Sequence, residues 1–239
     1  MRSKKLITCL LSINLILLLG CSNNVNTPTE YNDSNSRLVS SLNLPSISDF
    51  SNASTEDQIE IENYLQQQGH NSIQYFKNYV MIDKDLIVDL SLINKCRLNG
   101  LSKVNQTSYP AMQIWPQEKV HNKLKFYMYF DVNEHRNWYY SLLSGMYGWA
   151  TAFERNGGSK WAPFIGTNDP NSADIDIYIA DLGPIDPTIP SGLTYILPDG
   201  SRAIKSIIIL NQNYENYAYL KDERLFIATH ELGHALSLN

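Results

Sequence analysis

The sequence predicts an α+β fold: a twisted mixed sheet of about four to five strands, one long helix against it, and a carboxy-terminal helix that carries the chemistry. Three observations lead there. Residues 173–181, ADIDIYIAD, alternate strictly, with Ile175, Ile177 and Ile179 on one side and Asp174, Asp176 and Tyr178 on the other, the period of a half-buried strand. Residues 134–158 place Trp138, Leu142, Met146, Trp149 and Phe153 at steps of three or four and end on Gly157 and Gly158, as a long amphipathic helix with a glycine stop does. The final stretch, LFIATHELGHALSLN, sets an apolar stripe of Leu225, Ala228, Leu232 and Leu236 beside His230, Glu231 and His234.

Taken from the amino terminus, residues 1–20 read as an export signal: the basic MRSKK, then the apolar LITCLLSINLILLLG, then Cys21. Leu18, Leu19, Gly20 and Cys21 resemble the lipobox of bacterial lipoproteins. That resemblance implies cleavage before Cys21, lipid on its thiol, and anchoring in the bacterial cell envelope at the outer membrane or cell surface. Loss of three basic and no acidic residues with the signal takes the formal charge from −5 to −8, which excludes nucleic acid as a partner. Of three cysteines, Cys9 leaves with the signal and Cys21 is lipidated. Cys96 then has no partner for an internal disulfide.

Residues 21–54 are rich in Asn and Ser and are expected to be a disordered tether. Residues 55–115 form a small pre-domain or prosegment. In it, STEDQIEIENYLQQQG is a short capped helix and YVMID a strand, while KDLIVDLSLINK fits either a helix or a strand and turn. Turn residues and two prolines in 97–120 mark a boundary, and 116–239 are the start of a catalytic domain. There KLKFYMYFD is a strand ahead of the long helix, and GLTYILPDGSRAIKSIIIL is two strands around a Pro198-Asp199-Gly200 turn. Hydrophobic residues at 43% and aromatics at 11% are enough to fill a core.

His230, Glu231 and His234 spell H-E-x-x-H. One helical turn puts both imidazoles on one face toward a single Zn2+, and Glu231 beside the first can take a proton from a water at the metal and pass it to a leaving amine. Gly233 allows a close approach by a substrate or another backbone. His70, His121 and His135 are isolated and read as ordinary surface or core residues.

From about residue 123 onward the order of ADIDIYIAD, SGLTYILPDG, SIIILN and HELGHALSL resembles the upper subdomain of matrixin-like metzincin metalloproteases. The resemblance implies a zinc endopeptidase acting on protein or peptide substrates. Substrate would add as an antiparallel strand to an edge formed by Leu193, Thr194, Tyr195, Ile196 and Leu197. It also implies a third zinc histidine at position 240, with Ser237 where the family has glycine, and a carboxy-terminal subdomain missing from these 239 residues. The family's second, structural zinc has no ligands here, because no histidine lies between His135 and His230 and Tyr195 stands at a ligand position. Asp174 and Asp181 are candidate ligands for Ca2+.

In many members of that family a prosegment silences the enzyme by placing a cysteine or an aspartate on the zinc. Cys96 is the candidate thiol, with Asp83 and Asp85 as rivals. The expected protein is a monomeric, lipid-anchored zinc endopeptidase. The competing expectations are a catalytically inactive surface lipoprotein that binds peptides or a partner through its edge strand, and a different H-E-x-x-H zinc enzyme with an acidic third ligand.

Overall fold

The computed structural model describes residues 34–51, 56–100, 115, 119, 123–155, 164–199 and 202–236. The signal, Cys21, Gly157, Gly158 and His121 lie outside them. Helices are α1 (Ser34–Ser41), α2 (Glu56–Gln67), α3 (Leu90–Gly100), α4 (Arg136–Arg155) and α5 (Lys221–Ala235). Strands are β1 (Ile73–Phe76), β2 (Tyr79–Ile82), β3 (Leu86–Asp89), β4 (Leu124–Met128), β5 (Phe164–Gly166), β6 (Ile175–Ala180), β7 (Gly192–Asp199) and β8 (Arg202–Asn211). Among the described residues no helix is long and apolar enough to cross a membrane.

All eight strands join one mixed sheet in the order β1-β2-β3-β7-β8-β6-β4-β5. Residues 116–239 supply five, as expected, with β8, β6, β4 and β5 mutually parallel and β7 antiparallel to β8. The other three come from the pre-domain, whose antiparallel meander β1-β2-β3 docks parallel to β7. The described residues from Ser34 onward fall within one compact unit, in which the strands before and after the expected boundary share one sheet. The strand-or-helix ambiguity of residues 84–95 resolves as both: β3 ends at Asp89, whose carboxylate accepts the Ser91 backbone N–H at 2.9 Å as α3 begins.

Alternation along the strands divides the core between two faces. On one face, Ile82, Val88, Ile175, Ile177, Ile196, Ile208 and Leu210 pack against Leu65 of α2, Ile93 of α3, Trp138 and Leu142 of α4, and Ala228 and Leu232 of α5. On the other face lie Met81, Ile87, Tyr178, Leu193, Tyr195, Ile207 and Ile209, and these too are buried. They are covered by Val39 of α1 and by Leu42, Leu44, Ile47 and Phe50 that follow it. Two expectations are corrected here. Residues 34–51 of the supposed tether are folded, and β6 is buried on both sides. The apolar residues of 34–51 are too diluted by Ser and Asn to read as an element, but a preformed apolar sheet face gives them somewhere to go.

Helices α4 and α5 cross closely because both carry a glycine at the contact. A Cβ on Gly145 would meet Thr229 Oγ1 at 3.0 Å, and one on Gly233 would meet Trp149 Cζ2 at 2.8 Å. Gly233 therefore makes room for a tryptophan rather than for substrate. Trp149 Nε1 donates to the Thr229 carbonyl at 2.8 Å, and Trp115 Nε1 to the Ala235 carbonyl at 2.6 Å, which pins both halves of α5. The buried stripe of α5 is Ile227, Ala228, Leu232 and Ala235; Leu225, expected in it, is partly exposed.

Candidate metal centre

His230 and His234 lie one turn apart on α5 with their Nε2 atoms 3.0 Å from each other. Into the same point comes a residue 145 positions upstream: Asp85 Oδ2 lies 2.9 Å from His230 Nε2, and Asp85 Oδ1 lies 3.3 Å from His234 Nε2. Among the described residues these three are the cluster of ligand-type side chains whose donor atoms all fall within 4.8 Å of one another.

The hairpin turn between β2 and β3 delivers Asp85. Asp83 and Lys84 have φ of 50° and 80°, and Asp85 N–H donates to the Ile82 carbonyl at 3.3 Å, which is a turn with positive φ at both central positions. Asp83 does not face the histidines of α5. Its carboxylate meets His70 Nδ1 at 2.7 Å and accepts the backbone N–H groups of Asn71 and Ser72, so His70 is a brace for the turn. Beyond the turn, Thr194 N–H donates to the Asp85 carbonyl at 2.8 Å, which begins the β3–β7 pairing.

The donor set fits a zinc ion. Two imidazole nitrogens and a carboxylate are ordinary zinc ligands, and tetrahedral bonds of about 2.0–2.2 Å put ligand atoms about 3.3 Å apart. The observed separations of 2.9, 3.0 and 3.3 Å are close to that. Asp85 Oδ1 is buried without a well-formed hydrogen bond, and two nitrogens 3.0 Å apart can share only one proton, so the lone pairs converge on a position suited to a cation. Burial pushes the Asp85 carboxyl up, but hydrogen bonds and charge from His230 and His234 outweigh it and hold the group at about 2. The Asp85 hydrogen bond raises His230.

Glu231 is fully buried beside the triad, under β7. Thr194 Oγ1 donates to Glu231 Oε2 at 2.6 Å. Desolvation and the charge of Asp85 push its carboxyl up to about 8, against the opposing Thr194 bond. Phe226, largely exposed one turn before His230, stacks on its imidazole with centroids 5.7 Å apart.

The remaining expected residues fall elsewhere. Cys96 sits on α3, half-buried against the helical core, where burial raises its thiol, and it is not part of the cluster. Leu193 to Leu197 do lie next to the site, but not as an edge: β7 runs between β8 and β3, with Leu86, Ile87 and Val88 opposite Thr194, Tyr195 and Ile196. An unpaired strand edge is a template for pairing, and the chain's own hairpin occupies it. Asp174 and Asp181 flank opposite ends of β6, each with partners of its own. Asp174 pairs with Lys119 and Lys125 N–H, and Asp181 accepts from Gly183 N–H and Asn213 Nδ2. Nothing local in the sequence marks Asp85 as the third member of the triad. No protein-family model, curated protein or solved structure matches this chain.

Proposed function

We propose that the chain is a zinc-dependent endopeptidase of matrixin-like metzincin type held in a latent state, with His230 and His234 as zinc ligands, Glu231 as general base, and Asp85 as an internal blocking ligand. The observation that carries this is the convergence of Asp85 on both histidines while β3 takes the outer side of β7. The order β7-β8-β6-β4-β5, with β7 the antiparallel member and α4 and α5 against one face, is compatible with the upper subdomain that the sequence resembles.

Zinc bound at this position supplies a Lewis acid that makes water a nucleophile near neutral pH and polarises a peptide carbonyl. With Asp85 withdrawn, the negative charge that helps to raise Glu231 leaves too, and its carboxylate would take a proton from a water molecule as the water oxygen adds to the carbonyl carbon. Glu231 then delivers the proton to the amine nitrogen as the C–N bond breaks. Strand β7, once β3 has left it, offers its backbone N–H and C=O groups to an extended substrate. In the latent state Asp85 fills the place by the histidines that water needs, and β3 fills the place that substrate needs. Lipid on Cys21 would hold the protein at the cell envelope.

A second reading has one specific observation in its favour. Asp85 is an acidic third ligand, so the site could be a permanent two-histidine, one-aspartate zinc centre of a different H-E-x-x-H enzyme. The inactive peptide-binding lipoprotein needs β7 freed from β3, as the peptidase does, but has no use for the convergence of Asp85 on His230 and His234.

One experiment separates these readings: casein hydrolysis and zinc content of the chain beginning at residue 22, compared with Asp85→Ala and Glu231→Ala. The latent peptidase gives little hydrolysis until Asp85→Ala releases it, and Glu231→Ala or a chelator abolishes it. If Asp85→Ala removes both zinc and activity, the aspartate is a permanent ligand. Hydrolysis indifferent to chelator and to Glu231→Ala would overturn both.

A further inference from the structure

The general base has a built seat, and its walls are two residues of β7. Glu231 is 1% exposed, and its carboxyl lies against the strand at the point where Gly192 has no side chain. A Cβ at Gly192 would stand 2.6 Å from Glu231 Oε1 and 2.8 Å from Cδ. Gly192 is buried within the strand and has no positive φ, so it is the space, not the backbone conformation, that calls for glycine here. Two residues on, the wholly buried Thr194 hydroxyl donates to Glu231 Oε2 at 2.6 Å and lies 3.3 Å from the Glu231 carbonyl. The backbone N–H of the same threonine donates to the Asp85 carbonyl at 2.8 Å.

From this we infer that Thr194, with the gap left by Gly192, is the positioning residue of Glu231, a role separate from the backbone pairing of β7. The hydroxyl fixes one carboxyl oxygen against the strand, which leaves the orientation of the other defined relative to His230 and His234. Thr194 binds Glu231 through its hydroxyl and Asp85 through its backbone N–H, so undocking of the β2–β3 hairpin removes the second bond and not the first. The inference uses the peptidase reading only for its catalytic consequence; the seat itself stands on the geometry.

The test has two independent readouts. The first is the infrared carboxyl band of Glu231, isolated as the difference between the full chain and Glu231→Gln. It is expected to shift in Thr194→Val, which keeps the shape and loses the hydroxyl, and to return in Thr194→Ser. Gly192→Ala is expected to shift it as well. The second is peptide hydrolysis in an Asp85→Ala background: Thr194→Val lowers kcat by about tenfold to a hundredfold with KM unchanged, the scale of a misplaced catalytic group, and Thr194→Ser restores it. A band that does not move in Thr194→Val overturns the inference. A band that moves and returns while no variant, the Asp85→Ala parent included, hydrolyses peptide supports the seat and overturns the peptidase reading instead.

Discussion

Replacing Ile87 by alanine should loosen the β2–β3 hairpin without unfolding the rest of the protein. Ile87 is fully buried in the middle of β3, opposite Tyr195 of β7 and Met81 of β2. Its side chain sits in the sheet's second core with Leu193, Tyr195, Ile207 and Ile209. Truncation removes three carbons at about 0.8 kcal/mol each and leaves a cavity, so the loss is about 3 kcal/mol, within the range for buried isoleucine. Met81 on the hairpin's own side retains a share of that contact. If about 2 kcal/mol falls on docking, the undocked population rises about thirtyfold. The assay is native-state hydrogen exchange at the Thr194 amide, which donates to Asp85, with amides of β8 as internal reference. Thr194 should lose about thirtyfold in protection while β8 keeps its own. Ile59→Ala, at a half-exposed position on α2, should leave both unchanged. Equal loss at Thr194 and β8 would refute the idea that the hairpin docks as a separable unit, and no loss at Thr194 would refute the role of this seam.

Three further outcomes are expected. Gly233→Ala forces Trp149 off α5 and should cost about 1–3 kcal/mol, read as a lower urea midpoint; an unchanged midpoint would show that the crossing is not tight. Asp83→Ala leaves the buried His70 without its carboxylate and puts a residue that disfavours positive φ into the turn, so zinc affinity should fall about tenfold or more as Asp85 loses its aim. If zinc affinity is unchanged, the brace does not aim Asp85. Because burial raises the Cys96 thiol, less of it is thiolate at any pH below its own pKa. Alkylation at pH 8 should therefore be slower than for a free cysteine, and the rate should be the same with and without zinc; zinc protection would restore a thiol switch.

Much of this arrangement was legible in the residues, and the parts that were not share a cause. β6, α4 and α5 show up because each carries its own period, and the H-E-x-x-H spacing places two imidazoles on one helical face without further help. Asp85 could be named only as one of three rival blocking residues. What selects it is a turn geometry, a strand register and a long-range contact, none of which leaves a local pattern. Asp83, two residues earlier, has the same chemistry and is taken by His70. The Asp89–Ser91 cap was a readable sign that residues 84–95 split into a strand and a helix. The fold of residues 34–51 had no comparable sign, because its few apolar side chains become an element only against a sheet face built from residues far along the chain. Likewise the alternation of ADIDIYIAD says correctly which residues share a face, but not that something covers the second one.

The strap Ser34–Phe50 has a consequence for how the hairpin can leave. It packs against the cluster formed by Met81 and Ile87 of the hairpin together with residues of β6, β7 and β8, and Tyr195 donates its hydroxyl to the Pro45 carbonyl at 3.0 Å. Undocking β3 alone therefore keeps the strap as a leash: the hairpin stays near β7 at high effective concentration and recloses quickly. Lifting the strap as well wets a continuous patch containing Tyr178, Leu193, Ile207 and Ile209, a surface that would favour self-association. Separation of the hairpin from β7 alone would thus be brief, whereas lasting separation would need the strap and hairpin to be parted from each other or that patch to be covered anew.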